Sequence, residues 1–170
     1  MPGSTDSSAE QRFREFVHAR TPALSRTAYL LTGDAQLAED LVQTALFKAA
    51  KAWHRIEGDP EPYVRRILYN QNVSWWRARR LTEASLGSYD APAAGAGDPD
   101  LRLTLEAALS RLTARQRTVL VLRYFEDLTE VQTAAVLGIG PGTVKSIGRQ
   151  ALVRLRALSP ELAQLVGEAP

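Results

Sequence analysis

The sequence predicts an all-α protein built from two small helical domains that a flexible linker joins. Apolar residues recur at helical spacing along most of its 170 residues, and two Thr-x-x-Gln capping boxes mark helix starts in the second half. Between the periodic stretches, residues 82–98 are rich in Ala, Gly, Pro and Ser, a composition typical of linkers. We therefore predict domains over residues 9–81 and 99–170, after a disordered polar leader over residues 1–8.

Three helices are predicted before residue 57, over residues 9–19, 21–33 and 34–56. Thr21 and Pro22 suit the N-cap and first helical position, so we expect the first two helices to be separate. Asp34 is expected to cap the third, which is amphipathic. For any single helix, an ordinary solvated outer face explains that pattern better than a partner-binding face does.

A fourth helix is predicted from Tyr63 to about Arg80, after a loop with one glycine and two prolines. Its aromatic residues interleave with arginines, as expected where bases stack on rings and phosphates meet guanidinium groups. Core packing explains the aromatics about equally well. Trp75 and Trp76 are adjacent, so we expect at least one of them at an edge or on the surface.

Residues 129–156 predict a helix-turn-helix. Capping boxes at Thr113 and Thr129 precede two short helices, and Gly138 suits the left-handed end of the second. A further helix is expected to begin near Pro141, with polar residues on its outer side. A last short helix is expected beyond Pro160.

The charge is modest overall but unevenly distributed. The formal net charge is +2, yet residues 65–80 and 143–156 carry only basic charges, and both stretches are predicted helices. Such unopposed basic helices favour contact with nucleic acid.

Composition excludes several other classes of function. The chain has no cysteine and two histidines, so disulfides, metal sites and a metal cofactor are not expected. No apolar run approaches the ~18 residues of a membrane span, and the polar leader does not resemble a signal peptide, so we expect a cytoplasmic protein without membrane insertion. The chain also lacks a nucleophile elbow, a phosphate-binding loop and a zinc-protease helix, so we predict no catalytic residues, no cofactor and no enzyme activity.

In this order and spacing, the segments resemble a bacterial RNA polymerase sigma factor of the extracytoplasmic-function (ECF) class, over about residues 13–158. Residues 38–53 and 62–80 are similar to region 2 of that family, and residues 112–156 are similar to its region 4. The resemblance implies that region 2 binds core polymerase and opens the −10 promoter element, while region 4 reads the −35 element.

The resemblance also assigns roles to residues. The positions that match residues binding the clamp helices of the polymerase β′ subunit are Asp40, Leu41, Gln43 and Leu46. For the −10 element they are Asp59, Tyr63, Arg66, Asn70, Trp75, Arg77, Arg79 and Arg80. For the −35 element they are Thr143, Lys145, Ser146 and Arg149. The β flap of polymerase, promoter DNA and an inhibitory anti-sigma factor are the other implied partners.

The second helix of the predicted helix-turn-helix, which begins near Pro141, departs from the family pattern at Ile147 and Gly148. Polar or basic residues are common there in the family. A glycine inside a helix costs about 1 kcal/mol relative to alanine. Its presence suggests a close approach of the backbone to DNA or to a neighbouring helix.

Two other functional classes are compatible with parts of the sequence. A self-sufficient, dimeric helix-turn-helix regulator would use residues 1–80 for sensing or dimerisation and would bind a palindrome without polymerase. A helical adaptor that binds only proteins leaves the unopposed arginines without a role.

Overall fold

A computed structural model describes residues 4–86 and 101–160, and all regular elements within these ranges are helical. The all-α prediction is confirmed. The N-terminal unit contains α1 (Ser4–Thr32), α2 (Ala35–Ala52), a short 3₁₀ turn (Trp53–Arg55) and α3 (Glu61–Leu86). The C-terminal unit contains α4 (Leu101–Ser110), α5 (Ala114–Leu120), a π-helical turn (Val121–Phe125), α6 (Glu130–Leu137) and α7 (Pro141–Leu158).

The N-terminus forms one continuous helix, where the sequence had predicted a leader and two helices. α1 begins at Ser4 and passes through Pro22 without a break. Proline removes one backbone donor and crowds the preceding turn, and it leaves the carbonyl four residues earlier without its helical partner. One residue before the proline, the Thr21 hydroxyl donates to the Val17 carbonyl at 2.6 Å. The prediction of separate helices over residues 9–19 and 21–33 is therefore wrong, and residues 4–8 of the predicted leader are helical.

The predicted linker is partly helical. α3 continues to Leu86, about six residues beyond the predicted end, because no proline or glycine interrupts residues 81–86. The rest of the predicted linker, residues 87–98, lies outside the described residues, as does the short helix predicted beyond Pro160.

Local signals in the C-terminal unit are confirmed. Thr113 and Thr129 both form complete capping boxes with the glutamine three residues later. Gly138 ends α6 with a φ of 66°, in the left-handed region that a side chain disfavours. The turn between α6 and α7 is thus fixed by short-range chemistry.

The two units share one hydrophobic core. The larger buried cluster joins Leu24, Leu41 and Leu68 of the N-terminal unit to Val119 and Leu137 of the C-terminal unit. A smaller cluster lies within the C-terminal unit between α4, α5 and α7. α3 is covered on two sides as a result, and this lets both Trp75 and Trp76 pack half-buried against the same core.

Gly148 faces the protein interior. A Cβ built at this position would meet the Val119 Cγ1 atom at 3.7 Å, which is ordinary van der Waals contact. The sequence suggested that either DNA or a neighbouring helix lies close to Gly148, and in the structure helix α5 lies there. Ile147 is also half-buried against the core.

We predict that Gly148→Ala raises the free energy of unfolding by up to about 1 kcal/mol, because alanine restricts the unfolded chain and fits the available space. Urea denaturation measures the change. Gly138→Ala is the matched control and should lower stability by about 1 kcal/mol, since its φ is positive. A destabilised Gly148→Ala protein would contradict this placement.

Candidate polymerase and nucleic-acid interfaces

The outer side of α2 brings together most of the predicted polymerase-facing residues. Asp40 and Gln43 are exposed and lie nearly one turn apart, and Leu46 is half-buried beside them. Leu41 is fully buried in the shared core. In this arrangement Leu41 supports the helix from inside, and the exposed surface is formed by its neighbours.

Phe47 lies on the same outer side, and sequence reasoning missed it. Its side chain is 62% exposed, and the Lys51 ammonium lies 4.4 Å from the ring centroid. The signal was present, since Phe47 follows Gln43 by four residues and Asp40 by seven, which is the spacing of one helix face. A large exposed aromatic beside polar groups is the composition of an interface anchor.

The exposed side of α3 forms one stripe of predicted DNA-contacting residues. Tyr63, Arg66, Asn70 and Arg77 are all exposed and follow helical spacing. The aromatic ring, the amide and the two guanidinium groups therefore face the same direction. This combination can stack on a base, pair with a base edge and contact phosphates.

The other predicted −10 residues do not join this stripe. Trp75 lies half a turn away from it around the helix and packs against the core. Asp59 lies before the helix, where its carboxylate accepts from the Glu61 backbone N–H at 3.0 Å. Arg79 is exposed on another side, and the side chain of Arg80 lies outside the described residues.

The outer side of α7 carries all four predicted −35 residues. Thr143, Lys145, Ser146 and Arg149 are exposed, near the N-terminal end of the helix. Gln150 is exposed beside them and adds an amide that can pair with a base edge.

The two units also meet through buried polar groups centred on Glu126. Its carboxylate accepts from the Thr27 hydroxyl at 2.8 Å, from Arg65 Nη1 at 2.7 Å and from the Tyr69 hydroxyl. The Glu126 side chain is only 11% exposed. Glu61 holds Arg65 from the other side at 3.0 Å. We call Thr27, Arg65, Tyr69 and Glu126 the Glu126 cluster.

An irregular backbone directs Glu126 toward the N-terminal unit. The π-helical turn Val121–Phe125 ends on Glu126, and the next residue, Asp127, has a φ of 53°. A positive φ in a residue other than glycine is uncommon and costs free energy. No short-range sequence signal identified this cluster, because the partners of Glu126 lie 57 to 99 residues away in the chain.

Protonation in the cluster follows from its burial and charges. Burial raises the pKa of the Tyr69 hydroxyl well above its ordinary value, and the hydrogen bond to the Glu126 carboxylate raises that pKa further. Burial alone would lower the pKa of Arg65, but the Glu126 carboxylate and the hydrogen bonds to Tyr69 and Glu61 outweigh it, so the net shift is upward.

Other side chains also donate hydrogen bonds from one unit to the other. Buried Asn72 donates to the Thr118 hydroxyl at 3.1 Å, and Arg117 Nε donates to the Leu31 carbonyl at 2.9 Å. Arg77 Nη2 donates to the Leu137 carbonyl at 2.6 Å. Because Leu137 is the last residue of α6, the turn of the helix-turn-helix lies directly against the predicted −10 helix.

Among residues 4–86 and 101–160, no helix combines the length and apolar character needed to cross a membrane. In the same part of the chain, no three His, Cys, Asp or Glu side chains are grouped so that they could hold a metal ion.

Both halves of the chain match models of known protein families. The family model described as Sigma-70 region 2 matches residues 16–82, and the model described as Sigma-70, region 4 matches residues 108–157. An RNA polymerase sigma-E factor of Streptomyces coelicolor is 40% identical over 148 residues, covering 85% of this chain and 84% of that protein. The chain belongs to the ECF sigma factors.

Other members of the family support the same assignment. ECF RNA polymerase sigma factor SigL of Mycobacterium tuberculosis is 34% identical over 156 residues, covering 82% of this chain and 84% of SigL. The solved structure of the sigma factor RpoE with the anti-sigma factor NepR from Bartonella quintana superposes with a TM-score of 0.66 at 30% identity, covering 89% of this chain and 98% of RpoE. CnrH, solved with the cytosolic domain of CnrY, shares the fold at a TM-score of 0.56, with 21% identity over 94% of this chain and 91% of CnrH.

For this ECF sigma factor, we predict that Tyr69 ionises at a higher pH than an ordinary tyrosine. A raised pKa in the folded state means that the group's contribution to stability is complete below the ordinary tyrosine pKa of about 10 and is lost as the pH rises through the folded value. Titration of tyrosinate absorbance should show a late component that Tyr69→Phe removes. Loss of amplitude from the ordinary tyrosine range in Tyr69→Phe, with the late component unchanged, would contradict the burial of this hydroxyl.

Proposed function

We propose that the protein binds core RNA polymerase and directs transcription from promoters that carry matching −35 and −10 elements. The observation that carries the proposal is that each unit exposes one DNA-compatible helix side: the stripe Tyr63, Arg66, Asn70 and Arg77 on α3, and the four polar residues near the start of α7. The region 2 and region 4 matches fall on those two units.

The two helices are assigned different tasks. The α3 stripe contacts the −10 element, where a base that leaves the stack is held by the ring, the amide and the preceding loop around Asp59. The α7 residues enter the major groove at the −35 element, where Lys145 and Arg149 reach phosphates or guanine. The chain itself performs no catalysis in this scheme, since RNA synthesis belongs to the polymerase.

Polymerase is assigned to the outer side of α2. Asp40, Gln43, Leu46 and Phe47 form this surface, and the β′ clamp helices are the proposed contact. The β flap is proposed to contact the C-terminal unit. An anti-sigma factor is a further proposed partner, since the related RpoE and CnrH were solved with the proteins NepR and CnrY. We propose a cytoplasmic location, where polymerase and DNA are found.

Run-off transcription with purified core polymerase tests the proposal. We expect promoter-specific transcripts that need both the protein and core enzyme. The proposal is overturned if no candidate promoter gives a transcript and the protein does not bind core enzyme. Tight, specific binding to a palindromic DNA by a dimer without polymerase would instead establish the self-sufficient regulator.

We predict that Phe47→Ala weakens binding to core polymerase about tenfold or more, as expected on truncating a large exposed aromatic anchor. Fluorescence anisotropy with labelled protein measures the affinity. His18→Ala is the control, because it removes an exposed ring that belongs to α1 and not to α2. Equal affinities for the two variants would remove Phe47 from the interface.

For the −35 contact, we predict that Arg149→Ala lowers holoenzyme affinity for promoter DNA and reduces the slope of log K against log salt by about 0.9, which corresponds to one phosphate contact. Arg12→Ala removes an exposed charge from α1 and should leave the slope unchanged. A DNA fragment that carries only the −10 element should not distinguish Arg149→Ala from the wild type.

A further inference from the structure

One large apolar side chain lies on the exposed side of α7. Val153 is 61% exposed, whereas every other valine, leucine and isoleucine of α7 is buried or half-buried. The inward side of the helix packs on α4 and α5 through Ala151 and Leu155. The packing of α7 is thus explained without Val153.

Val153 lies in line with the predicted −35 residues. Seven residues of an α-helix make about two turns, so Ser146 and Val153 point in nearly the same direction, about 10.5 Å apart along the helix axis. Arg149 and Gln150 lie between them, and all four side chains are exposed. A single exposed valine is common on protein surfaces, but this one completes a row of four residues on one helix side.

The spacing of this row is one with which helices read DNA. The positions i, i+3, i+4 and i+7 of the row are occupied by Ser146, Arg149, Gln150 and Val153. The third helix of homeodomains, which are a variant of the helix-turn-helix, contacts bases in the major groove through side chains with the same spacing. A row of this length can therefore contact base edges from its first member to its last.

The charges around Val153 favour DNA as its contact. Four basic residues of α7 are exposed, and no acidic residue occurs between residues 143 and 156; the basic residues are Lys145, Arg149, Arg154 and Arg156. Such a surface attracts phosphates. In the major groove, thymine presents a C5-methyl group, which is the apolar contact that a base edge offers to an aliphatic side chain.

We propose that Val153 is a specificity-determining residue, which selects a thymine in or beside the −35 element by packing on its C5-methyl group. The proposal rests on the proposed function and extends the −35 contact beyond Arg149. In the same row, the Gln150 amide matches the N6 and N7 atoms of adenine. Because 10.5 Å corresponds to about three base pairs at 3.4 Å each, the thymine lies within about three base pairs of the base that Ser146 faces.

Selection from DNA with a randomised −35 region tests the base choice of the holoenzyme, which is core polymerase with the protein bound. The wild type should enrich thymine at one position, and Val153→Ala should lose that enrichment while it keeps the preferences at the other positions. The variant should fold, because the side chain is exposed and alanine favours helices. Val131→Ala is the matched control, because Val131 is 66% exposed and belongs to α6.

Replacing the enriched thymine by deoxyuridine isolates the methyl group, since deoxyuridine pairs as thymine does and lacks only the C5-methyl. The wild-type and Val131→Ala holoenzymes should bind the deoxyuridine promoter about fourfold more weakly than the thymine promoter, as expected for one methyl-sized group returned to water. Val153→Ala should bind the two promoters about equally. A purely structural effect of the substitution would weaken both complexes and leave the wild-type ratio of affinities in place.

Three results would overturn the role of Val153: a ratio of affinities that persists in Val153→Ala, equal wild-type affinities for the two promoters, or a selected −35 sequence without an enriched thymine. Weaker binding of Val153→Ala to core polymerase without DNA would also overturn it, since the valine would then contact protein. Failure of the wild-type holoenzyme to select any −35 sequence would instead overturn the proposed function.

Discussion

Burial of α3 from two sides is the constraint on which the rest of the structure depends. One side packs on α1 and α2 through Val64 and Leu68, and another meets the C-terminal unit through Tyr69 and Asn72. Only a narrow exposed stripe is left. That stripe holds the ring, the amide and the guanidinium groups expected of a DNA contact, so packing selects which residues of an aromatic and arginine-rich helix can meet a ligand.

The interface between the units combines apolar burial with specific polar contacts. Apolar burial is non-directional and supplies most of the favourable free energy, but it does not fix one relative orientation of two helical units. The Glu126 carboxylate does so, because a buried acid that accepts three hydrogen bonds tolerates little displacement. The π-helical turn and the positive φ of Asp127 are the local distortions that place this carboxylate. The hydrogen bonds to the Glu126 carboxylate thus make the packed arrangement specific. They also make it easy to perturb by a single substitution.

Family membership and geometry contribute different information about function. The region 2 and region 4 matches, together with the similarity to the ECF sigma factor SigL, place the chain among ECF sigma factors, and the relatives cover most of its length. Geometry then separates residues within the matched segments. Leu41 and Trp75 lie against the core, whereas Gln43, Phe47 and Asn70 are available to a partner. Ile147 and Gly148 turn toward the protein, so their departure from the family pattern concerns helix packing. The exposed side of α7 keeps its polar character.

Short-range chemistry made much of this protein predictable from sequence. The capping boxes at Thr113 and Thr129 and the left-handed Gly138 depend on neighbours a few residues away, so the helix-turn-helix could be located without a structure. The sequence also determined the all-α class and the two basic helices. Tertiary structure alone decided the continuity of α1 through Pro22, the shared core and the Glu126 cluster. Helix propensity at Pro22 was outweighed by the packing of a long α1 against α2 and α3, and the partners of Glu126 are too distant in the chain for any local pattern to reveal them.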